Sequence, residues 1–252
     1  MSCIISLATI ATFLLLAASP FTNTPITANA LAVIEKCTVP NTVALTFNGG
    51  PYQYTKDIVD ALKAANARAT FFVNGNNYVC IYNTDESFRL KYAYEHGHQI
   101  ASLTWSHQDL TTLSYDQIHS EMERVEQAIS KITGANPAFM RPPYGSHNDL
   151  VLQVAQQRGQ QVVAWDFDSG DDFGATVGEQ KASFDKTIDR HPNNVLALMY
   201  EVYETTAHQT LPYAITKIQA AGYRLVTVAE CLGEEPYTRV GAPAVRDSTW
   251  HC

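Results

Sequence analysis

The feature that most constrains the fold is a regular alternation of short apolar runs with segments of helical periodicity. The runs have the length of strands and are continuously apolar, as parallel strands covered on both faces are. This alternation predicts a parallel α/β fold, either a barrel or a doubly wound sheet. The predicted strands are Val43–Phe47, Ala69–Val73, His98–Ser102, Ala138–Arg141, Gln161–Asp166, Val195–Tyr200 and Tyr223–Thr227.

The clearest helix is predicted over Ser114–Thr133. Its apolar residues recur at three- and four-residue steps and form one stripe. Ser114 with Gln117 predicts a capping box at its start, and Gly134 follows its end. Weaker helical patterns cover Asp57–Ala67, Ser87–His96, Asn148–Arg158, Thr176–Arg190 and His208–Ala221.

Composition limits the class of partner. The chain has 252 residues, of which 46% are apolar and 17% charged, so it can bury the core of one globular domain. The net charge is −8, the isoelectric point is about 5.4, and no basic run occurs. Nucleic acids and anionic membrane surfaces are therefore not expected partners. We expect a monomer.

The first thirty residues differ from the rest. Ile4–Ala18 is almost wholly apolar and uncharged, and Ala28-Asn29-Ala30 fits a cleavage site for signal peptidase. A membrane anchor is the alternative, but the apolar stretch falls short of the ~20 residues that span a bilayer. The pattern predicts a signal peptide over 1–30 and a secreted, extracellular domain over 31–252, with no membrane attachment after the peptide is removed.

Removal of the signal peptide takes away Cys3 and leaves four cysteines. An even number in a secreted chain predicts two disulfides, with three possible pairings. Cys37 lies just before the first strand and Cys231 just after the last. A bridge between them would join the two ends of the domain and stabilise it by ~4–5 kcal/mol in the chain-entropy model. Cys80 and Cys252 would then pair. Free thiols are the alternative.

A barrel would place functional residues at the carboxyl ends of its strands. The residues there are rich in Asn, His, Arg, Asp and Tyr, which predicts a polar pocket. They lie in Asn48–Pro51, Asn74–Asn77, Leu103–His107, Arg141–Gly145, Asp166–Asp172 and Tyr200–Glu201.

On residue type alone, no metal site is predicted. Isolated histidines such as His98 and His107 do not provide three or four convergent ligands. The acidic run Asp166–Asp172 is not a helix-loop-helix calcium loop, because its twelfth position is Val177 rather than Glu. We expect it to be a solvated loop whose first carboxylate pairs with Arg141.

Five stretches of the sequence, in this order, resemble the motifs of a known family: VALTFNGGPY, ATFFVNGNNY, GHQIASLTWSHQDL, RPPYG and VVAWDFDSGDD. From Cys37 to Cys231 the chain resembles the polysaccharide deacetylases that include the fungal chitin deacetylases. The resemblance implies a distorted (β/α)7 barrel, secretion and a polymer of N-acetylglucosamine, such as chitin, as the ligand. Paired cysteines at the ends of the domain fit the fungal members.

The family's catalytic residues are largely replaced. Its members hold a divalent metal, usually zinc, with one Asp and two His, and use a second Asp as base and a further His as acid. The base position is Asn48 here, and the Asp ligand position is Gly49. The first His ligand position is Leu103, and only His107 is retained. The acid position is Tyr200.

Most of the other motif residues around these positions are retained. Arg141 matches the residue that orients the base, and Tyr144 matches the backbone donor to the oxyanion. Asp168 matches the partner of that Arg, and Leu198 matches the Leu of the last motif. The Trp that ends the fourth motif is Asp172 here.

The sequence therefore predicts a protein that does not catalyse metal-dependent deacetylation. An amide such as that of Asn48 takes up no proton near neutral pH, and loss of the base alone costs ~10²–10⁴ in rate. No metal cofactor is expected. Glycan binding needs only aromatic surfaces and hydrogen bonds. The expected contacts are Trp105, Arg141, Tyr144, Trp165, Asp168, Leu198 and Tyr200, with core packing as the competing interpretation for the two tryptophans.

Two alternatives stay open. An active hydrolase would need a rebuilt metal site from residues such as His107, His147, Asp168 and Glu201. Glu201 follows Tyr200 directly, so it should point to the opposite face of a strand, which weakens this hypothesis. The other alternative is a secreted effector or wall protein that binds a protein and leaves the groove unused.

Overall fold

A computed structural model describes residues 32–252, so the predicted signal peptide over 1–30 lies outside the described residues. All seven predicted strands are present, with somewhat different ends. The strands are β1 Val33–Ile34, β2 Thr42–Gly50, β3 Thr70–Val73, β4 Gln99–Ser102, β5 Ala135–Pro137, β6 Phe139–Met140, β7 Gln161–Val163, β8 Phe167–Asp168, β9 Asn194–Tyr200, β10 Arg224–Leu225 and β11 Tyr237–Val240.

The six predicted helices are also present. A π-turn over Thr206–Thr210 precedes the last of them, which therefore begins three residues later than predicted. A seventh, five-residue helix was not predicted. The helices are α1 Thr55–Ala64, α2 Thr84–Glu95, α3 Tyr115–Thr133, α4 Asp149–Gln157, α5 Val177–Ile188, α6 Leu211–Ala220 and α7 Val228–Leu232.

One parallel sheet forms the centre of the domain, in the order β1-β7-β6-β4-β3-β2-β9-β8, with β10 beside the start of β2. The chain passes from Val163 at the end of β7 to Phe167 at the start of β8 within four residues. Four residues span at most ~14 Å. Since these strands lie near opposite ends of the sheet order, the sheet must curl until its two edges approach. This geometry confirms the distorted (β/α)7 barrel.

The sequence of β2 explains its central position. All nine of its residues are buried, and it pairs with β3 on one side and β9 on the other. A helix-covered parallel strand has no solvated face, so its apolar run is continuous. Helix α7 packs against β2, and helix α3 packs against β4 and β5, with a capping box at Ser114 and a left-handed Gly134 at its end. Both of these features were predicted.

Both predicted disulfides are present. Cys37 pairs with Cys231, and Cys80 pairs with Cys252. The second bridge ties the C-terminal residues to the loop that follows β3. None of the helices between residues 32 and 252 is both long and apolar enough to cross a lipid bilayer.

Candidate active site

Strand β2 delivers Asn48 to the carboxyl end of the barrel. Its side chain is 3% exposed, and in the sheet register it pairs with Phe72 of β3 and Tyr200 of β9. Gly49 follows with φ +91°, a conformation that favours glycine. The strand thus ends in a tight turn, and the side chain of Asn48 at the start of this turn faces the interior of the site.

Arg141 forms the floor of the site and is completely buried. Its Nη1 donates to Thr46 Oγ1 at 2.8 Å and to Asn48 Oδ1 at 2.9 Å. Its Nε and Nη2 donate to the carbonyls of Val163 and Ala164. Burial lowers the pKa of Arg141 to about 9, against the opposing influence of nearby acidic groups. The guanidinium is therefore held by neutral acceptors.

The predicted carboxylate partners of Arg141 are not hydrogen-bonded to it, so that part of the prediction was wrong. Asp166, the expected partner from the acidic run, accepts from the Leu196 amide at 2.7 Å. Asp168, the partner implied by the family motif, accepts from the Gly170 amide at 2.8 Å. Asp168 acts on Arg141 only through its charge. The neutral amide of Asn48 occupies the position beside the guanidinium instead.

Tyr200 lies between the floor and the acidic loop. Its side chain is close to those of Asn48 and Asp172, and burial raises its pKa. Burial and the charge of Asp168 raise the pKa of Asp172, while the nearby Tyr200 hydroxyl lowers it. Asn48, Tyr200 and Asp172 are therefore neighbours, and Asn48 is hydrogen-bonded to Arg141. We call these three residues the Asn48–Tyr200–Asp172 network.

Asp171 fixes the end of β9 to the acidic loop, a role that the sequence did not reveal. Its Oδ2 accepts from the Tyr200 amide at 2.8 Å and from Thr206 Oγ1 at 2.7 Å. Burial raises its pKa to about 6, and these hydrogen bonds oppose the rise. The substitution of Asp172 for the family's Trp was the only sequence signal that this loop had been altered.

The residues at the family's metal positions do not fit a zinc ion. Gly49 has no side chain, and Leu103 is completely buried within an apolar cluster. His107 is retained, but its ring lies against Tyr144 at 5.0 Å, and burial lowers its pKa. No group of three His, Cys, Asp or Glu side chains that could hold a metal occurs within residues 32–252. One imidazole is far short of the ligands that a tight site requires.

Several predicted glycan contacts are inaccessible. Trp105 is 4% exposed, and Arg124 stacks on its ring at 4.0 Å, so core packing is the correct interpretation for this residue. Leu198 and Tyr200 are also buried. Three of the predicted glycan contacts do reach the surface. These are Tyr144, which is 67% exposed, and the partly exposed Trp165 and Asp168.

The ring of Trp105 also explains Gly75. A Cβ on Gly75 would lie 1.9 Å from the ring carbon Cε3. Gly75→Ala should therefore displace the indole and lower the free energy of unfolding by about 1–3 kcal/mol, measured by urea denaturation. Gly178→Ala in α5 is the control, since a Cβ there meets nothing closer than 4.0 Å. Equal stability of the two variants would contradict the packing argument.

Glu201 points away from the site, as strand alternation predicts. It is completely buried, and its Oε1 accepts from Thr55 Oγ1 at 2.9 Å. A Cβ on Gly50 would lie 1.1 Å from that oxygen, so the carboxyl group packs directly against the backbone of the turn. Burial raises the pKa of Glu201 to about 8. Glu201 is thus a structural acid beneath the turn.

The raised pKa of Glu201 has a predictable effect on stability. The folded protein keeps this proton up to about pH 8, whereas the unfolded chain loses it above about pH 4.5. The carboxyl group therefore contributes most to stability below pH 4.5, and this contribution is lost as the pH rises through 8. We expect wild type to lose stability relative to Glu201→Gln across this range, by at most ~1.4 kcal/mol per pH unit.

Urea denaturation of both proteins at a series of pH values measures this difference. Asp171, with a pKa of about 6, and His98, with a pKa of about 4, titrate in both proteins, so their effects cancel in the comparison. Parallel stability profiles for wild type and Glu201→Gln would show that Glu201 is ionised in the folded protein.

Comparison with known proteins identifies the family. A sequence profile of the polysaccharide deacetylase family matches residues 35–163. A chitin deacetylase from a Pestalotiopsis species is 39% identical over 208 residues, covering 80% of this chain and 67% of that protein. A chitin deacetylase from Colletotrichum lindemuthianum is 34% identical over 208 residues, covering 81% of this chain and 84% of that protein.

Solved structures agree. The structure of the chitin deacetylase from the fungal pathogen Colletotrichum lindemuthianum matches with a TM-score of 0.79 at 32% identity, covering 84% of this chain and 96% of that one. A probable peptidoglycan-N-acetylglucosamine deacetylase from Arthroderma benhamiae is 38% identical over 204 residues, although the match covers only 46% of that protein. The sequence, the curled parallel sheet and these similarities agree, and the chain belongs to the polysaccharide deacetylase family.

Proposed function

We propose that this protein is an extracellular glycan-binding member of the polysaccharide deacetylase family that does not catalyse metal-dependent deacetylation. Its ligand is chitin or a related polymer of N-acetylglucosamine. The relatives named above act on such polymers by their names, and the two disulfides fit an oxidising, extracellular location.

The donor set of the site is the observation that carries this proposal. Catalysis by the family's route needs three metal ligands, a base and an acid. Here the corresponding residues are Gly49, Leu103 and His107 for the metal, Asn48 for the base and Tyr200 for the acid. Asn48 Oδ1 also accepts from Arg141 Nη1 at 2.9 Å, and Tyr200 is buried close to it. These residues support binding without the reaction.

An active deacetylase with a rebuilt metal site is the second candidate, and the similarity to proteins named chitin deacetylase favours it. Such a site would have to gather His107, His147 and Asp168, since Glu201 faces Thr55 on the other side of β9. His147 is exposed and bonded to the Gly145 carbonyl. The contacts of these residues therefore give this candidate less support than the first.

One experiment distinguishes the two candidates. Purified protein is analysed for bound zinc and assayed for acetate release from an acetylated chitin oligomer. We expect no stoichiometric zinc and no acetate release above the blank. One zinc per chain together with acetate release would establish the rebuilt site and overturn the proposal.

Glycan binding is tested separately by calorimetry with N-acetylglucosamine and glucosamine oligomers. Heat of binding is expected for at least one of them. If neither oligomer binds at millimolar concentration, the glycan-binding proposal fails. Specific capture of a protein partner in a parallel pull-down would then favour the protein-binding alternative.

A further inference from the structure

Aromatic side chains surround the entrance to the site and remain accessible. Tyr78, on the loop after β3, lies directly over the backbone of Gly49, where its ring would be 3.3 Å from an added Cβ. Tyr78 is 50% exposed and Tyr144 is 67% exposed. Tyr203, which follows β9, is partly exposed and lies 6.4 Å from the ring of Tyr200. These rings provide the flat apolar surfaces on which sugar rings stack.

Acidic side chains lie close to these aromatic rings. Burial, followed by the charge of Asp172 and the neighbouring tyrosines, raises the pKa of Tyr78. Burial, followed by Tyr78, Asp171 and Asp172, raises the pKa of Tyr203. Asp168 lies close enough to Asp172 to raise its pKa as well. We call Tyr78, Tyr144, Tyr203, Asp168 and Asp172 the acidic–aromatic mouth.

Arg141, on which the charge of Asp168 acts, does not lie at the surface beside these carboxylates. It is completely buried, and its hydrogen bonds go to Thr46, Asn48 and two backbone carbonyls. The two carboxylates therefore give the surface of the mouth negative charge beside its aromatic rings.

We infer that the acidic–aromatic mouth prefers the deacetylated form of the sugar, a cationic glucosamine oligomer, over the N-acetylated form. This inference rests on the proposed glycan-binding function and specifies its ligand. An ammonium group has three donors and a positive charge, and so matches the carboxylates of Asp168 and Asp172. An acetyl carbonyl only accepts hydrogen bonds, as a carboxylate does, and the two cannot satisfy each other.

The buried floor supports the same preference. An acetyl group that enters the site would meet the buried Asn48, whose Oδ1 already accepts from Arg141 Nη1 at 2.9 Å. Inserting the group would break this bond without replacing it, and an unsatisfied buried polar group costs ~1–3 kcal/mol. A primary amine is smaller and binds at the partly exposed carboxylates of Asp168 and Asp172, so it leaves the bond between Asn48 and Arg141 in place.

The test compares calorimetric affinities for glucosamine and N-acetylglucosamine oligomers of equal length. We expect the glucosamine oligomer to bind at least about tenfold more tightly at low salt. Added salt should weaken that binding and leave the acetylated oligomer nearly unaffected, because a Debye length of ~10 Å at 0.1 M screens exposed charges. Equal affinities, or tighter binding of the acetylated oligomer, would overturn the inference.

Variants locate the contact. Asp172→Asn, which removes one of the two charges at nearly constant volume, should reduce the preference for glucosamine. Asp116→Asn, an exposed carboxylate in the first turn of α3, makes the same change in net charge away from the mouth and should leave it intact. Tyr78→Ala should weaken the binding of both sugars. Thermal denaturation of each variant checks that it is folded, and an unchanged preference in folded Asp172→Asn would refute the inference.

Two further outcomes are informative. An oligolysine peptide of equal charge tests whether the mouth reads charge alone, and equal affinity for this peptide would overturn the assignment to a sugar. If neither sugar binds, the proposed glycan-binding function fails as well, which distinguishes that failure from a failure of the preference.

Discussion

Arg141→Met is expected to lower the free energy of unfolding by about 3–5 kcal/mol, the range in which breaking a buried polar network falls. Methionine is similar in length, so the loss is chiefly polar. The guanidinium donates to Thr46 Oγ1, Asn48 Oδ1 and the carbonyls of Val163 and Ala164, all near the floor of the site. Without it, these buried acceptors lose a partner at ~1–3 kcal/mol each.

A partial compensation limits the loss. Arg141 has no hydrogen-bonded carboxylate, so its removal also relieves the cost of burying an unneutralised cation. The loss of several acceptors' partners outweighs this gain. Urea denaturation monitored by tryptophan fluorescence gives the free energies, under conditions that leave both disulfides intact.

Arg68→Met is the matched control for this variant. Arg68 pairs with Glu230, but its side chain is 55% exposed. Surface ion pairs contribute ~0–1 kcal/mol, so the control should lose little. Similar losses for the two variants would mean that Arg141 contributes no more than a surface arginine and that its hydrogen bonds are not structural.

The fold was predictable because it depends on pattern. Most of the seven predicted strands are largely apolar runs, and such runs survive errors of one or two residues at their ends. The elements that were missed are short. Helix α7, over Val228–Leu232, has five residues, and β8, over Phe167–Asp168, has two. Elements of this length are set by tertiary contacts, and their own sequence carries too little periodicity to reveal them.

The site was less predictable, because it depends on which side chains hydrogen-bond to one another. Alternation along β9 correctly placed Glu201 opposite Tyr200. The family motif led us to expect an Arg141–Asp168 pair. In the structure the guanidinium donates to Asn48 instead, and Asp168 accepts from the Gly170 amide. Nothing in the order of residues says that a tight turn after β8 will supply its own donor to Asp168.

The substitutions at the site are neighbours in space. Where the family has a base, this chain has the amide of Asn48, which accepts from Arg141 and lies close to Tyr200. Where it has an acid and a Trp, this chain has Tyr200 and Asp172, which also lie close to each other. A single reversion would restore one group of a site whose chemistry needs several, so deacetylation is expected only when several positions change together.

The combined variant Asn48→Asp, Gly49→Asp, Leu103→His and Tyr200→His is expected to bind about one zinc per chain, whereas we expect wild type to bind none stoichiometrically. The carboxylate at position 49, the imidazole at position 103 and His107 would supply the three protein ligands of the family's metal site. Three protein ligands are enough for a zinc site with one open position. Asp at position 48 would also lie beside Arg141, whose Nη1 is 2.9 Å from the present Oδ1. Metal content after dialysis is the measurement.

Two of these changes cost stability. Gly49 has φ +91°, and a Cβ there would lie 3.2 Å from Val202 Cγ1 and 3.3 Å from Tyr78 Cε2. Strained left-handed residues cost ~1–3 kcal/mol. Leu103 is completely buried among apolar residues, where an imidazole without a metal has no partner. We therefore expect the metal-free variant to melt below wild type and zinc to raise its melting temperature, since zinc binds only the folded state.

The variant that keeps Gly49 but carries the other three changes is the matched control, because it lacks only the carboxylate ligand. It should bind zinc at least about tenfold more weakly, the lower end of what losing one outer-shell partner alone costs. If the four-residue variant folds and binds no zinc, the groove has changed beyond these positions. If it binds zinc and releases acetate from a chitin oligomer, then the family's chemistry was lost through these residues while the barrel that positions them was retained.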